Sequence, residues 1–396
     1  MRRISASITA IAALTLTQFA TGPAGAQEPK DDAEPTHQTE REALQEDLAL
    51  TAKPRGWTLE EAEQQYRNAE IVGKLAEELA ASQPDAFIGS ELPDNPADPP
   101  ILYLKGESPG WVASDAEDLG IRIVDGQPYS FLELEEREIA VHRALSEQGI
   151  DQIASGFDLD GGGRIDVTVY DAYAPAADVL LTALPTELAD DVELSVADEP
   201  IADDLHAFGG ARVRDDGVNE CTSGWTVVNG SGTTGVTTAG HCDGINQIVE
   251  QGVGVWALSH QSQHRGQWGD VEWKTSTHLE PAEFYASSGT LRDTTALEAR
   301  ANISVNESIC VYGRSSNSRD CSLDVNDVSV SCTVSGVFNN RLVQMDGRVV
   351  IGGDSGGGWS FGNRAYGSTK GYCGGLDVFS VADLYDEAIG VTVRTQ

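Results

Sequence analysis

Apolar positions follow two rhythms along this chain of 396 residues. In the first half they sit in longer, charged stretches behind helix-start signals. Thr58-Leu59-Glu60-Glu61 is a capping-box pattern and opens a helical sequence to about Ala81. Ser130-Phe131-Leu132-Glu133 is a second, opening a helix to about Gln148. Short strands are predicted at Ile101–Leu104, Ile121–Val124, Ile165–Tyr170 and Val192–Val196, and a helix over Pro175–Leu184. Ser82 to Pro100, rich in Pro and Asp, reads as a linker. Residues 57–206 are therefore expected to form a small α+β unit without cysteines.

From Phe208 the texture changes. Charge falls, Gly, Ser, Thr and Val rise, and short runs such as Trp225–Val228, Gly235–Thr238 and Val255–Leu258 recur between Gly-rich turns. That pattern predicts an all-β barrel or sandwich over residues 207–396. Asp158-Leu159-Asp160-Gly161-Gly162-Gly163 resembles a calcium loop only in part. Its fifth and twelfth positions, Gly162 and Val169, supply no side-chain oxygen, so a glycine turn into the strand at Ile165 is expected.

The N-terminus carries an export pattern. Arg2 and Arg3 precede a mostly apolar stretch from Ile8 to Leu16, and Ala24-Gly25-Ala26 offers a small-residue cleavage site. Residues 1–26 are thus expected to be a signal peptide, and residues 27–56 a disordered acidic leader. The apolar stretch is too short and too interrupted to span a membrane.

Charge sharpens the division. Gln27–His206 holds 42 acids and 11 bases, against 21 acids and 13 bases in Ala207–Gln396, within a formal net charge of −37. A field of that sign argues against nucleic acid or anionic lipid as a partner. All six cysteines, Cys221, Cys242, Cys310, Cys321, Cys332 and Cys373, lie in the second half. An even number in an exported chain points to disulfides, and no C-x-x-C pair suggests zinc, so no metal or cofactor is expected.

Candidate chemistry gathers in three places. Gly353-Asp354-Ser355-Gly356-Gly357 places a serine among residues that let the backbone turn sharply and aim N–H groups at one point. A serine hydroxyl is a weak nucleophile until a base takes its proton. Thr238-Ala239-Gly240-His241-Cys242 ends a strand-like run on a histidine, with a cysteine able to fix the adjacent backbone. Asp270, in Trp268-Gly269-Asp270-Val271-Glu272-Trp273, is the candidate to orient that histidine. Glu272 alternates to the same side and is its rival.

The His241, Asp270, Ser355 order and the TAGHC and GDSGG motifs resemble the chymotrypsin-like serine proteases, and within them the bacterial streptogrisin and α-lytic protease group. The resemblance spans about Phe208 to Val393. It implies two six-stranded antiparallel β-barrels with the site in the cleft between them. It implies Ser355 as nucleophile, His241 as general base, Asp270 as its orienter, and an oxyanion hole from the N–H groups of Gly353 and Ser355. It further implies a secreted bacterial, monomeric enzyme acting on protein or peptide substrates, preceded by a pro-region that aids folding and blocks the cleft, with cleavage near residues 200–208. The disulfides it implies are Cys221–Cys242 and Cys310–Cys321, which leaves Cys332 and Cys373. Two features depart from the family. The third bridge lacks the usual cysteine before the serine, and Lys370 stands where a small polar residue is usual. The strand Tyr366–Gly371 is expected to wall the substrate pocket, with Ser368, Thr369, Lys370 and Gly371 on it. Val349 takes the position that is acidic in trypsin-like enzymes, so preference for basic side chains is not expected. Lys370 either attracts an acidic side chain or points to solvent. Two other readings remain: an inactive homologue that binds, and a secreted esterase with the same triad.

Overall fold

The computed structural model describes residues 36–150, 152–159, 162–170, 177–182, 184–189, 191–197, 202–204, 210–250, 254–276, 280–334 and 336–396. The expected signal peptide, the first part of the leader, Asp160-Gly161, the start of the 175–184 helix and Phe208-Gly209 lie outside these residues.

The first half opens with strand β1 (Thr36–Gln38), helices α1 (Glu40–Arg55) and α2 (Leu59–Ser82), and strands β2 (Phe87–Glu91) and β3 (Ile101–Lys105). Helix α3 (Gly110–Leu119), strand β4 (Arg122–Gln127) and helix α4 (Phe131–Ser146) follow. Next come β5 (Ile153–Phe157), β6 (Ile165–Tyr170), short helices α5 (Ala177–Leu181) and α6 (Thr186–Ala189), β7 (Val192–Ala197) and β8 (Ala202–Asp204). Both expected capping boxes are present: Thr58 with Glu61, and Ser130 with Glu133, each satisfy two helix-end donors reciprocally.

Residues 36–55 are not the expected disordered leader. Thr39 and Glu42 form a third capping box, and α1 buries Ala43, Asp47, Leu48, Thr51 and Ala52. The expected linker also contains a strand, since β2 pairs with β3 despite the flanking prolines. Gly162 and Gly163, at φ 67° and 103°, make the turn into β6.

The second half is almost entirely strands. The first group is β9 (Arg212–Asp215), β10 (Val218–Thr222), β11 (Thr226–Asn229), β12 (Thr234–Thr238), β13 (Gln247–Glu250), β14 (Gly254–Gly266) and β15 (Gly269–Ser276). Hairpin β16 (Glu283–Ser287) and β17 (Thr290–Asp293) and the short β18 (Ala296–Leu297) lead to the second group. That group is β19 (Cys310–Gly313), β20 (Ser318–Asp320), β21 (Val325–Val334), β22 (Val337–Met345), β23 (Gly358–Phe361), β24 (Arg364–Cys373) and β25 (Leu376–Val381). Helix α7 (Tyr385–Ile389) and β26 (Val391–Val393) close the chain.

The pairing does not divide into six and six. One sheet has eight strands in the order β10-β9-β13-β14-β15-β12-β11-β26, so the C-terminal strand returns to the first group. The other has twelve, because β21 pairs with β5 and carries β5, β6 and β7 into the same sheet, while β8 and β18 pair with β24. The segment before residue 200 is therefore not a separate α+β unit. One apolar core joins Leu48, Val72, Leu79 and Leu102 of the first half to Ile309, Val311, Val343 and Trp359 of the second. Among the described residues, no helix is long and apolar enough to cross a membrane.

Candidate active site

Three elements converge on one point. Strand β12 leads directly into Ala239-Gly240-His241, and Gly240 is needed there because a Cβ would lie 2.6 Å from Asp270 Oδ1 and from the His264 carbonyl. The disulfide Cys221–Cys242 fixes the backbone just beyond the histidine. Asp270 is the second residue of β15, which pairs with β12 through Thr238 and Glu272. Ser355 lies in the turn between β22 and β23, where Gly353 and Gly356 adopt φ 111° and 88°. A Cβ on Gly356 would sit 2.4 Å from the Thr222 carbonyl, so the loop packs backbone to backbone against the first sheet.

The side chains form a relay. His241 Nδ1 lies 2.6 Å from Asp270 Oδ2, and His241 Nε2 lies 2.9 Å from Ser355 Oγ. Asp270 and Ser355 are fully buried and His241 nearly so. A carboxylate on Nδ1 keeps that nitrogen protonated and leaves the Nε2 lone pair facing the hydroxyl. Ser380 of β25, which the motifs did not flag, ties the two sheets here. Its Oγ accepts the Asp270 N–H at 2.8 Å and donates to the Asp270 carbonyl at 3.2 Å. Short polar residues on strands are common, so no sequence signal marks it.

The rival carboxylate goes elsewhere. Glu272 Oε2 is 3.1 Å from Lys274 Nζ and 3.3 Å from His260 Nδ1. Burial raises its pKa to about 7, with Lys274 opposing.

The serine loop is anchored on every side. Ser355 O accepts from Thr222 N at 2.8 Å and Gly353 O from Thr222 Oγ1 at 3.1 Å. Gly356 N donates to Thr369 O at 2.7 Å. The buried Asp354 carboxylate accepts from the N–H groups of Ser315, Ser316 and Ile351 at 3.0, 3.2 and 3.0 Å. Burial pushes its pKa up, against those bonds.

The expected pocket strand is β24, and its residues differ in what they face. Ser368 Oγ is 2.6 Å from Tyr385 OH, and Thr369 Oγ1 donates to Gly357 O and accepts from Trp359 Nε1 at 3.0 Å each. Both hydroxyls therefore brace the fold. Lys370 is fully buried, at a register shift between Thr369 and Gly371, so it does not point to solvent. Gly371 faces Asp204 in the β24–β8 pairing, so the chain's own residues 202–204 lie along this edge. Val349 is half-buried, and its N–H donates to Asp377 Oδ2 at 2.7 Å.

All six cysteines are paired: Cys221–Cys242, Cys310–Cys321 and Cys332–Cys373. The last bridge joins β21 to the end of β24, away from the serine loop.

No family model and no curated protein matches the chain. Solved structures do. The chain is similar to Thermobifida fusca protease A, at 23% identity over 48% of this chain and 98% of that one, with a TM-score of 0.40. It is similar to Nocardiopsis protease, at 20% identity over 49% and 100%, with a TM-score of 0.37. It is also similar to Cellulomonas bogoriensis chymotrypsin, at 22% identity over 48% and 99%, with a TM-score of 0.38.

Proposed function

We propose that this protein is a secreted serine endopeptidase made as a precursor. The observation that carries this reading is the continuous Asp270–His241–Ser355 contact chain at 2.6 and 2.9 Å in a buried setting. Ser355 Oγ attacks the peptide carbonyl while His241 Nε2 takes its proton. The N–H groups of Gly353 and Ser355 stabilise the oxyanion. His241, now an imidazolium held by Asp270, gives its proton to the leaving amine. Water then repeats the sequence on the acyl-enzyme, and Ser355 is regenerated. The chemistry uses side chains and backbone alone.

In this reading residues 1–26 direct export, and residues 27–206 are the pro-region. Three disulfides suit an oxidising compartment. Pairing of β8 with β24 suits a segment that occupies a peptide-binding edge until the chain is cut. Substrates are proteins or peptides, without the acidic pocket residue that would favour basic side chains. Peptide-library digestion by the processed protein tests the proposal. Wild type should cleave internal bonds, and Ser355→Ala should remain an uncut precursor. Absence of peptide cleavage by processed wild type, or cleavage of short acyl esters alone, would overturn it.

A further inference from the structure

Asp47 of α1 accepts four hydrogen bonds at the seam between the two halves. It is fully buried. Oδ1 accepts from Arg319 Nε at 2.6 Å. Oδ2 accepts from Arg319 Nη2 at 2.7 Å, from Arg292 Nη1 at 2.8 Å and from Gly362 N at 2.7 Å. A carboxylate held by a bidentate guanidinium, a second guanidinium and a backbone N–H is the geometry of an anion receptor.

The donors all belong to the second half. Arg292 lies on β17, Arg319 on β20 and Gly362 in the turn between β23 and β24. The carboxylates that balance them belong to the first half, since Arg292 Nη2 also donates to Glu46 Oε2 at 3.0 Å. Its Nε donates to Gln38 Oε1 at 2.7 Å. Among the described residues of the second half the two arginines find neutral acceptors only: Gly362 O at 3.2 Å for Arg292, and Ser360 O and Oγ at 3.3 and 3.0 Å for Arg319. Burial and the neighbouring Arg319 charge push the Arg292 pKa down. Two like charges this close need an anion between them. The cradle is also braced without α1, because Cys310–Cys321 clamps the β19–β20 hairpin that carries Arg319. A site braced in this way loses less to reordering when it binds an anion.

We propose that Arg292, Arg319 and the Gly362 N–H form a carboxylate-binding site of the second half, filled in the precursor by Asp47. It opens to a carboxylate ligand once the N-terminal segment leaves. The second step rests on the precursor reading above; the first does not.

The test uses the uncut full chain carrying Ser355→Ala, with Asp47→Ala emptying the site. Acetate is titrated against chloride at constant ionic strength while thermal unfolding is followed. Asp47→Ala should show a saturating rise in midpoint of about 3 °C or more. The Asp47 parent should shift by less than about 1 °C, and adding Arg319→Gln to Asp47→Ala should remove the response. Equal responses in parent and variant, or none in either, overturn the proposal. Should Asp47→Ala fail to fold in chloride, refolding in acetate should raise the yield several-fold, and an unchanged yield overturns it. Inorganic phosphate is the second arm. A response larger than that to acetate overturns the carboxylate assignment in favour of a free inorganic anion. No arm requires catalysis, so a failure of the peptidase reading leaves this result standing.

Discussion

Replacing Asp270 by Asn should remove nearly all activity without unfolding the protein. The change is isosteric and leaves the backbone bonds to Ser380 intact. What it removes is the acceptor 2.6 Å from His241 Nδ1. An amide donating toward Nδ1 places the imidazole proton on Nε2, where it faces Ser355 Oγ and cannot accept the serine proton. The loss expected from such a tautomer error is about 10⁴ in kcat, equivalent to about 5.4 kcal/mol of transition-state stabilisation. KM should change little, because Asp270 is buried behind the histidine. Glu272→Gln is the paired control. Its carboxylate contacts Lys274 and His260, so kcat should stay within about threefold of wild type. A recognition sequence for an unrelated cysteine protease, inserted after His206, would make cleavage there independent of the peptidase activity proposed for the chain. Initial rates on a peptide substrate, with circular dichroism as the folding check, complete the assay. Asp270→Asn retaining more than a tenth of wild-type kcat, or Glu272→Gln losing more than Asp270→Asn, would refute the assignment.

Two other expectations concern the seam and the third bridge. Glu138 of α4 is buried against Ser155 and Ser331 Oγ, near Asp327, Glu135 and the buried His142, which contacts Ser155 at 2.6 Å and Thr333 at 2.8 Å. Burial raises Glu138 to about 8 and Asp327 to about 7, and lowers His142 to about 3. Both acids hold their protons longer in the folded state than in the unfolded state. Their stabilising contribution is full below their unfolded values and is lost as pH rises toward 7 to 8. His142 acts oppositely, adding stability as pH rises from about 3 to 6.5. The unfolding midpoint of the uncut Ser355→Ala chain should therefore fall between pH 6.5 and 8, and Glu138→Gln should flatten that fall. A midpoint rising across this window contradicts the account. Cys332→Ala with Cys373→Ala opens a loop with a sequence separation of 41 and should cost about 4 kcal/mol by loop entropy, read by urea unfolding. A loss under about 1 kcal/mol would show that the bridge constrains little.

What the sequence revealed follows from how local each signal is. The capping boxes at Thr58 and Ser130 marked α2 and α4 because all four residues of the motif are contiguous. The same motif begins at Thr39, yet the acidity around it pointed to disorder. Helix α1 is held by Asp47 reaching arginines 245 and 272 positions away, which no local pattern records. Strand β2 was hidden by prolines on both sides, and its buried Ser90 meets Ser304 across the seam. The site was more legible. The TAGHC and GDSGG runs are contiguous, so the motifs could be read locally, although the close approaches that require Gly240 and Gly356 come from distant segments, Asp270 and His264 for one and Thr222 and Thr238 for the other. Asp270 and Glu272 could not be separated by alternation alone, since both side chains are buried on one strand. Their partners, His241 for one and Lys274 for the other, decide between them. Lys370 was likewise ambiguous. Its long side chain is buried at a register shift, and register is a property of the paired strand rather than of the residue.

The peptidase reading is tested most directly by a fluorophosphonate probe on the processed protein, with the adduct mapped by mass spectrometry. The account predicts one adduct per chain, on Ser355, forming in step with loss of peptide hydrolysis and absent in His241→Ala. Peptide hydrolysis that continues in Ser355→Ala, or processed wild type that neither labels nor cleaves, would contradict it.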